Sequence, residues 1–196
     1  MHVVQETDRL ILRQFTPDDV DNLVELDSDP EVMWYISRGR PTARKEIEKV
    51  ILPRFLELYE RYDGYGTWAV VERSSGEFIG WLSLRPRDGD PPDEPELGYR
   101  LRRSAWGKGY ATEGARALVH RAFTELGASR VYAETMAVNK ASRRVLEKAG
   151  LRPARTFHAE WEDPVPGTEH GEVEYELRRS DWEDTVAGAR RSRGRG

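Results

Sequence analysis

The chain contains no cysteine. That excludes a disulfide scaffold, a thiolate metal site, an iron–sulfur cluster and a cysteine nucleophile. No stretch approaches the ~18 consecutive apolar residues that a membrane span requires. The opening segment, MHVVQETDRL, lacks the charged-then-apolar layout of a secretion signal. A soluble, cytoplasmic protein with no membrane partner is expected. No internal repeat of useful period is found. What the sequence does hold, over 196 residues, is 38% hydrophobic and 34% charged residues, with six Trp, eight Tyr and five Phe. That is enough for one packed core, and too aromatic for a disordered chain.

The net charge is −4, but it is unevenly spread. Arg190, Arg191, Arg193 and Arg195 fall within the stretch from Val186 to Gly196, which carries no acid. The rest of the chain is therefore acidic, which argues against nucleic acid as a partner. A single domain over residues 1–185 is expected, followed by a disordered basic tail at 186–196. The chain is expected to be a monomer or homodimer.

Periodicity predicts the elements. Arg9 to Phe15 alternate as a half-buried strand, and Thr16-Pro17-Asp18-Asp19 reads as a helix start. Thr42 is expected to cap a second helix through Tyr59, kinked or split at Pro53. Thr67–Glu72 and Phe78–Leu84 form a hairpin about Ser74-Ser75-Gly76. The loop Pro86–Pro95 precedes a short strand, Glu96–Leu101, and Ala111–Leu126 is a helix. A strand at Val131–Thr135, a helix at Ala141–Ala149 and two last strands follow. The order βααββ-βαβαββ describes one mixed α/β sheet.

The most informative stretch is ELGYRLRRSAWGKGYATE, from Glu96 to Glu113. A strand runs into a basic segment, then into Trp106-Gly107-Lys108-Gly109-Tyr110-Ala111, then into a helix. Two glycines one residue apart allow the backbone to turn its N–H groups toward one point. The helix start adds unpaired donors and partial positive charge. Together they make an anion cradle suited to a pyrophosphate, with Arg102, Arg103 and Lys108 supplying charge. It is neither a Walker loop nor the dinucleotide fingerprint, which would need glycine where Thr112 stands. A turn without a ligand is the alternative.

The later segment VYAETMAVNKASRRVLEKAGL places Asn139 and Ser142 at the start of a helix closed by Gly150. With it, the chain resembles the GNAT superfamily of N-acetyltransferases. WGKGYATEGARALVHRAF is similar to that family's acetyl-CoA pyrophosphate loop, Q/R-x-x-G-x-G/A, with Gly109 and Ala111 at the last two positions. NKASRRVLEKAGL is similar to its N-x-x-S/A…K-x-G-F segment, and TDRLILRQFTPDDV to its first strand and helix. The likeness spans Thr7 to Trp182. Within the superfamily the chain resembles the RimJ/RimL-like branch, which uses Trp-Gly-x-Gly-Tyr-Ala and an acid in a Glu-x-Gly-Tyr strand. Two departures stand out: Trp106 replaces the general Gln/Arg, and Leu146 occupies the place of a Tyr that protonates the leaving thiolate.

The resemblance implies a single-domain α/β fold whose mostly antiparallel central sheet is flanked by helices. Its splayed central strands lie beyond what periodicity can derive. It implies an acetyl-CoA-dependent N-acetyltransferase that acts by direct transfer in a ternary complex on a primary amine, a protein N-terminus or a small molecule. A Lys-like amine with pKa about 10.4 is less than ~0.1% neutral near pH 7, so a base is useful. Glu96 is assigned that role through water; its other reading is one more solvated acid beside Asp93 and Glu94. The backbone of Leu97, Gly98 and Tyr99 is expected to hold the pantetheine arm and the oxyanion. Gly107, Lys108, Gly109, Tyr110, Ala111 and Thr112 are expected at the pyrophosphate. Asn139 is assigned to a pantetheine amide, or is a turn residue. Ser142 is assigned to the thiolate, or is a helix cap. Arg143 and Arg144 are candidates for the 3′-phosphate, or form a solvated face. Trp34, Tyr35 and Trp161 are expected to wall the acceptor pocket, with Glu160, Glu162 and Asp163 attracting a cation, or Trp34 and Tyr35 are core and the acids a solvated loop face. His158 and His170 have no metal-ligand spacing, and no metal is expected. The alternative to catalysis is a non-catalytic CoA-binding sensor.

Overall fold

The computed structural model describes residues 2–193. Its eight strands are β1 (Val3–Glu6), β2 (Leu10–Gln14), β3 (Gly66–Glu72), β4 (Phe78–Arg85), β5 (Glu96–Leu101), β6 (Arg130–Met136), β7 (Arg152–Phe157) and β8 (Glu172–Arg178). They form one sheet in the order β1-β2-β3-β4-β5-β6-β8-β7. The helices are α1 (Val20–Ser28), α2 (Trp34–Ser37), α3 (Arg44–Glu46), α4 (Leu52–Arg61), α5 (Tyr110–Thr124), α6 (Lys140–Lys148) and α7 (Arg179–Arg193). The expected mixed α/β domain with a mostly antiparallel sheet is what forms. Among the described residues, no helix is long and apolar enough to cross a membrane.

Alternation decides which face each strand buries. Leu10 and Leu12 on β2, Val70 on β3, and Leu82 and Leu84 on β4 enter the main core. There they meet Ala115, Leu118, Val119 and Ala122 of α5 and Leu146 of α6. A second cluster on the other face joins Phe15, Leu23 and Leu26 to Ile47, Leu52, Ala69 and Phe78. Each fully buried Leu or Phe contributes roughly 1.5–3 kcal/mol, so these two layers supply most of the driving force.

The helix starts show where local chemistry suffices and where it does not. Thr16 and Asp19 form a reciprocal capping box with Pro17 in the first turn. Burial alone would raise the Asp19 carboxyl, but hydrogen bonds from Arg13, Thr16 N–H and Asn22 outweigh it and hold it below its usual value. Thr42 does not cap the next helix; its hydroxyl donates to buried Asp27, at 2.7 Å, and Ala43 is the cap residue. Nor does Pro53 split that helix. A π turn, Ile47–Ile51, joins α3 to α4, and the Leu52 N–H reaches back to the Ile47 carbonyl. The wide turn comes just before Pro53, which has no N–H to donate.

Three elements go beyond periodicity. β1 pairs with β2 at the sheet edge. α2 is a single turn in the stretch expected to wall the acceptor pocket. α7 docks through Trp182, whose ring lies 5.3 Å from that of Phe123. The tail expected to be disordered from Val186 continues this helix to Arg193, and residues 194–196 lie outside the described residues.

The feature that positions the site is a split in the sheet. All adjacent strands pair antiparallel except β5 and β6, which run parallel and share one registered pair, Glu96 with Tyr132. The loop before β5 pins that end: Pro95 O accepts from Tyr132 N–H at 3.2 Å, and Asp93 O from Ser129 N–H at 2.8 Å. Beyond the pin the strands diverge.

β4 also carries a bulge that sets the other edge of β5. Val70 opposes Gly80 while Val71 opposes Phe78, and Gly80 has φ +137°. A Cβ there would stand 2.2 Å from Arg100 O and 2.7 Å from Leu101 Cα, both backbone atoms of β5. Gly80→Ala is therefore expected to destabilise the fold by about 2–4 kcal/mol, roughly 5–15 °C in Tm. Thermal unfolding monitored by circular dichroism checks this; an unchanged Tm would show that β5 is not held this tightly.

Candidate active site

The diverging strands open onto a cavity of about 880 Å³, large enough for an extended small molecule. Tyr99, Arg100 and Leu101 of β5 line one side. Glu134, Thr135 and Met136 of β6, with Asn139, Ser142 and Arg144 of α6 and its entry, line the other. One end reaches the turn before α5, and Trp34, Tyr35, Ile36, Trp161 and Glu172 also border the space.

The turn is built as the glycines require. Gly107 and Gly109 have φ +72° and +83°, and α5 starts directly after Gly109 with no side-chain cap. Its first-turn N–H groups have no intrahelical acceptors, and Gly107, Gly109, Tyr110, Ala111 and Thr112 line the cavity. A Cβ at Gly107 would meet nothing within 4 Å, so the turn leaves open space there.

Arg9 holds this turn from outside. Its Nη1 donates to the Lys108 carbonyl at 2.9 Å and its Nε to Glu113 at 2.6 Å. Its guanidinium lies 4.7 Å from the centre of the Tyr110 ring. The Thr7 hydroxyl also donates to Glu113, at 2.6 Å, and the Tyr110 hydroxyl to Glu72. Burial would raise the Glu113 carboxyl, but the Thr7 hydroxyl and the Arg9 N–H groups and charge keep it below its ordinary value. The Lys108 carbonyl is thereby engaged by Arg9, and the helix-start donors are left to the cavity.

Across the split, the Tyr99 hydroxyl donates to the Ser142 carbonyl at 3.0 Å and lies 2.9 Å from Ser142 Oγ. Burial pushes the Tyr99 phenol well above its ordinary value, so it stays protonated. The Asn139 side-chain oxygen caps α6, accepting from Ser142 N–H at 3.1 Å. The cap is thus Asn139, and Ser142 Oγ is not used for it.

The acids divide into paired and unpaired. Glu96 lies 2.9 Å from Arg87 and 3.2 Å from Arg85. Arg87 also bridges to Glu134 at 2.9 Å. Glu172 accepts from the Trp161 indole N–H at 3.1 Å. Burial first, and then the nearby Glu134 charge, raise the Glu172 carboxyl above its usual value, with the Trp161 bond opposing. Asp163 is paired with Arg40, and Arg38 donates to the Pro164 carbonyl, so residues 38–40 tie down the loop that carries Trp161.

Residues 9–152 match the family described as Acetyltransferase (GNAT) domain. The chain belongs to the GNAT acetyltransferase family. The FsC-acetyl coenzyme A-N(2)-transacetylase of Aspergillus fumigatus is 41% identical over 165 residues, covering 81% of this chain and 69% of that protein. The uncharacterised N-acetyltransferase YoaA of Bacillus subtilis is 32% identical, covering 78% and 84%. The solved RimL ribosomal L7/L12 alpha-N-protein acetyltransferase, in complex with coenzyme A, superposes with TM-score 0.74 at 19% identity, over 90% of this chain and 98% of that one. This last likeness is one of fold.

For a GNAT acetyltransferase, the sequence-expected residues sort clearly. Tyr99, Gly107, Gly109, Tyr110, Ala111, Thr112, Asn139, Ser142, Trp34, Tyr35 and Trp161 border the one cavity, as does Arg144. Others do not. Arg102 pairs with Glu25 at 2.8 Å, and Arg103 with Glu31 at 2.6 Å, so both latch β5 and its following turn to the α1 region. Arg143 donates to the Tyr175 hydroxyl at 3.0 Å and to the Ala137 carbonyl at 3.1 Å, which leaves Arg144 as the cavity arginine of the pair. Leu97 is buried, and Gly98 packs on Ser83. Lys108 is absent from the lining, and its carbonyl accepts from Arg9. Glu96 is outside the lining and engaged by two arginines, which argues against its touching the acceptor. Leu146 is buried in the core and brings no hydroxyl. Glu134 and Glu172 are among the lining residues not expected from the sequence, and the pairing of β6 with β8 brings them to one face.

The turn makes a direct prediction. Gly109→Asp combines a side chain at positive φ with a negative charge at a helix start. It is expected to weaken acetyl-CoA binding about tenfold or more. Isothermal titration checks it; unchanged affinity would remove the turn from the binding site.

Proposed function

We propose that this GNAT enzyme transfers the acetyl group of acetyl-CoA to a primary amine by direct attack within a ternary complex. The observation that carries this reading is one continuous cavity. It runs from the anion cradle, along the unpaired edge of β5, to an acidic and aromatic region bordered by Trp34, Tyr35, Trp161 and Glu172. The family supplies acetyl transfer, and the name of the Aspergillus relative, an N(2)-transacetylase, supports nitrogen as the acceptor atom. The RimL fold likeness supports the RimJ/RimL-like branch. A sensor that only holds CoA would need no chamber beyond the split.

The residues divide the work. The first turn of α5 binds the pyrophosphate, and Arg144 neutralises a phosphate charge. The open edge of β5, which borders the cavity from Tyr99 to Leu101, pairs with the pantetheine amides as an added strand would and turns an N–H to the oxyanion. Asn139 adds a side-chain contact to that arm. Ser142 protonates the leaving thiolate, and Tyr99 holds its hydroxyl in place from across the split. This pair takes over where Leu146 cannot serve. Glu96, clasped by Arg85 and Arg87, anchors the closed end of the split and positions Arg87 against Glu134.

Ser142→Ala is expected to lower kcat about tenfold or more, with the acetyl-CoA KM little changed. Tyr99→Phe is expected to have a smaller effect in the same direction. Thiol release in a steady-state assay measures both. Full kcat in Ser142→Ala would assign thiolate protonation to water.

A further inference from the structure

The register of β6 with β8 sets a row of charged side chains on one face of the sheet. Arg130, Tyr132, Glu134 and Met136 stand opposite Arg178, Glu176, Glu174 and Glu172. Nearly every acid in this row has a cation. Glu174 lies between Arg130 and Arg155, the latter at 2.7 Å, and Glu176 is 2.6 Å from Arg130. Glu134 is 2.9 Å from Arg87.

Glu172 is the exception. Among the described residues it has no arginine, lysine or histidine within salt-bridge reach, and its hydrogen-bond donor is the neutral indole of Trp161. It is half-buried and borders the cavity together with Glu134, Trp161, Trp34 and Tyr35. As a diagonal neighbour of Glu134 across the β6–β8 pair, it stands about 7–8 Å away. The other charged or titratable groups near it are Arg155 on β7, already paired with Glu174, and His158 of the loop, which packs on Gly171.

We propose that the missing cation is the substrate: Glu172 is the counter-ion and proton acceptor of the acceptor's ammonium group, and the acceptors of this enzyme are cationic primary amines bound among aromatic side chains. The proposal rests on the N-acetyltransferase reading. The Glu172 carboxylate takes one proton from the ammonium. The neutral nitrogen then forms its bond to the acetyl carbon as the carbon–sulfur bond breaks. Ser142 gives its proton to the thiolate and is reprotonated by the second nitrogen proton, and Glu172 releases its proton to solvent. The products are the amide, CoA thiol and one proton. Burial and Glu134, which raise the Glu172 carboxyl, make it a stronger base for this exchange. Trp161 orients it, and the tie of residues 38–40 to the loop holds Trp161.

The test uses the full chain with acetyl-CoA and three amines: spermidine, kanamycin and a tripeptide with a free α-amine. For each amine the wild type accepts, Glu172→Gln is expected to lower kcat/KM for the amine about 100-fold near neutral pH, with acetyl-CoA affinity unchanged. The deficit should shrink as pH rises and the amine becomes neutral unaided, a shift that lost packing would not produce. Glu172→Asp should restore part of the rate, and Glu57→Gln, on the exposed side of α4, should leave it unaltered. Wild-type kcat/KM and pH profile in Glu172→Gln would overturn the assignment while leaving the transfer reading intact. A wild type that binds acetyl-CoA but neither acetylates nor binds any of the amines, by calorimetry on the CoA complex, would overturn both.

Discussion

β5 and β6 run parallel yet share one registered pair, Glu96 with Tyr132, and the rest of the site depends on that. Each strand is held on its outer side, β5 by β4 and β6 by β8. The contact end is pinned by the Asp93 and Pro95 carbonyls. Beyond it, backbone groups of β5 face a gap and not a partner. Unpaired strand edges invite pairing with an extended chain, and buried backbone groups left unpaired are costly. A ligand that runs along the edge as a strand resolves both conditions.

The elements around the split hold its ends at fixed chemistry. At one end Arg9 engages the Lys108 carbonyl and the Glu113 carboxylate, and the donors of α5 face the cavity. Midway, Tyr99 bridges from β5 to Ser142 on α6. At the closed end, Arg87 ties Glu96 to Glu134. The Arg87 contacts are partly buried and charge-assisted, worth more than exposed pairs. Arg102 and Arg103 pair the turn after β5 with Glu25 and Glu31 of the α1 region at more exposed positions.

Which parts of the site the sequence reveals follows from how local each part is. The cradle is legible because its two glycines and the helix start lie within a few residues of each other, and so is the Thr16–Asp19 cap. Asn139 and Ser142 are legible as a pair, but not which of them caps the helix: the Asn139 side-chain oxygen does, and the Ser142 hydroxyl meets Tyr99. The partners of Glu96 are not legible in its segment, because Arg85 and Arg87, which engage it, come from β4 and the loop after it. The partners of Arg102, Arg103 and Arg143 are hidden in the same way, since a basic residue beside a phosphate motif gives no sign of an acid, hydroxyl or carbonyl that meets it from elsewhere. Glu172 is invisible in its own segment. Only the β6–β8 register shows that its neighbours are neutralised and it is not. Pro53 shows the opposite limit, where a strong local breaker is absorbed by a π turn that tertiary packing sustains.

The central claim is that the open edge of β5 and the first turn of α5 together receive acetyl-CoA. Amide hydrogen exchange with and without acetyl-CoA tests it most directly. The account predicts added protection confined to the β5 edge between Leu97 and Leu101 and to the turn from Gly107 to Thr112, with little change in β1, β2 and β7. Binding that leaves both segments exchanging as before, or that protects the far edges of the sheet instead, would contradict it.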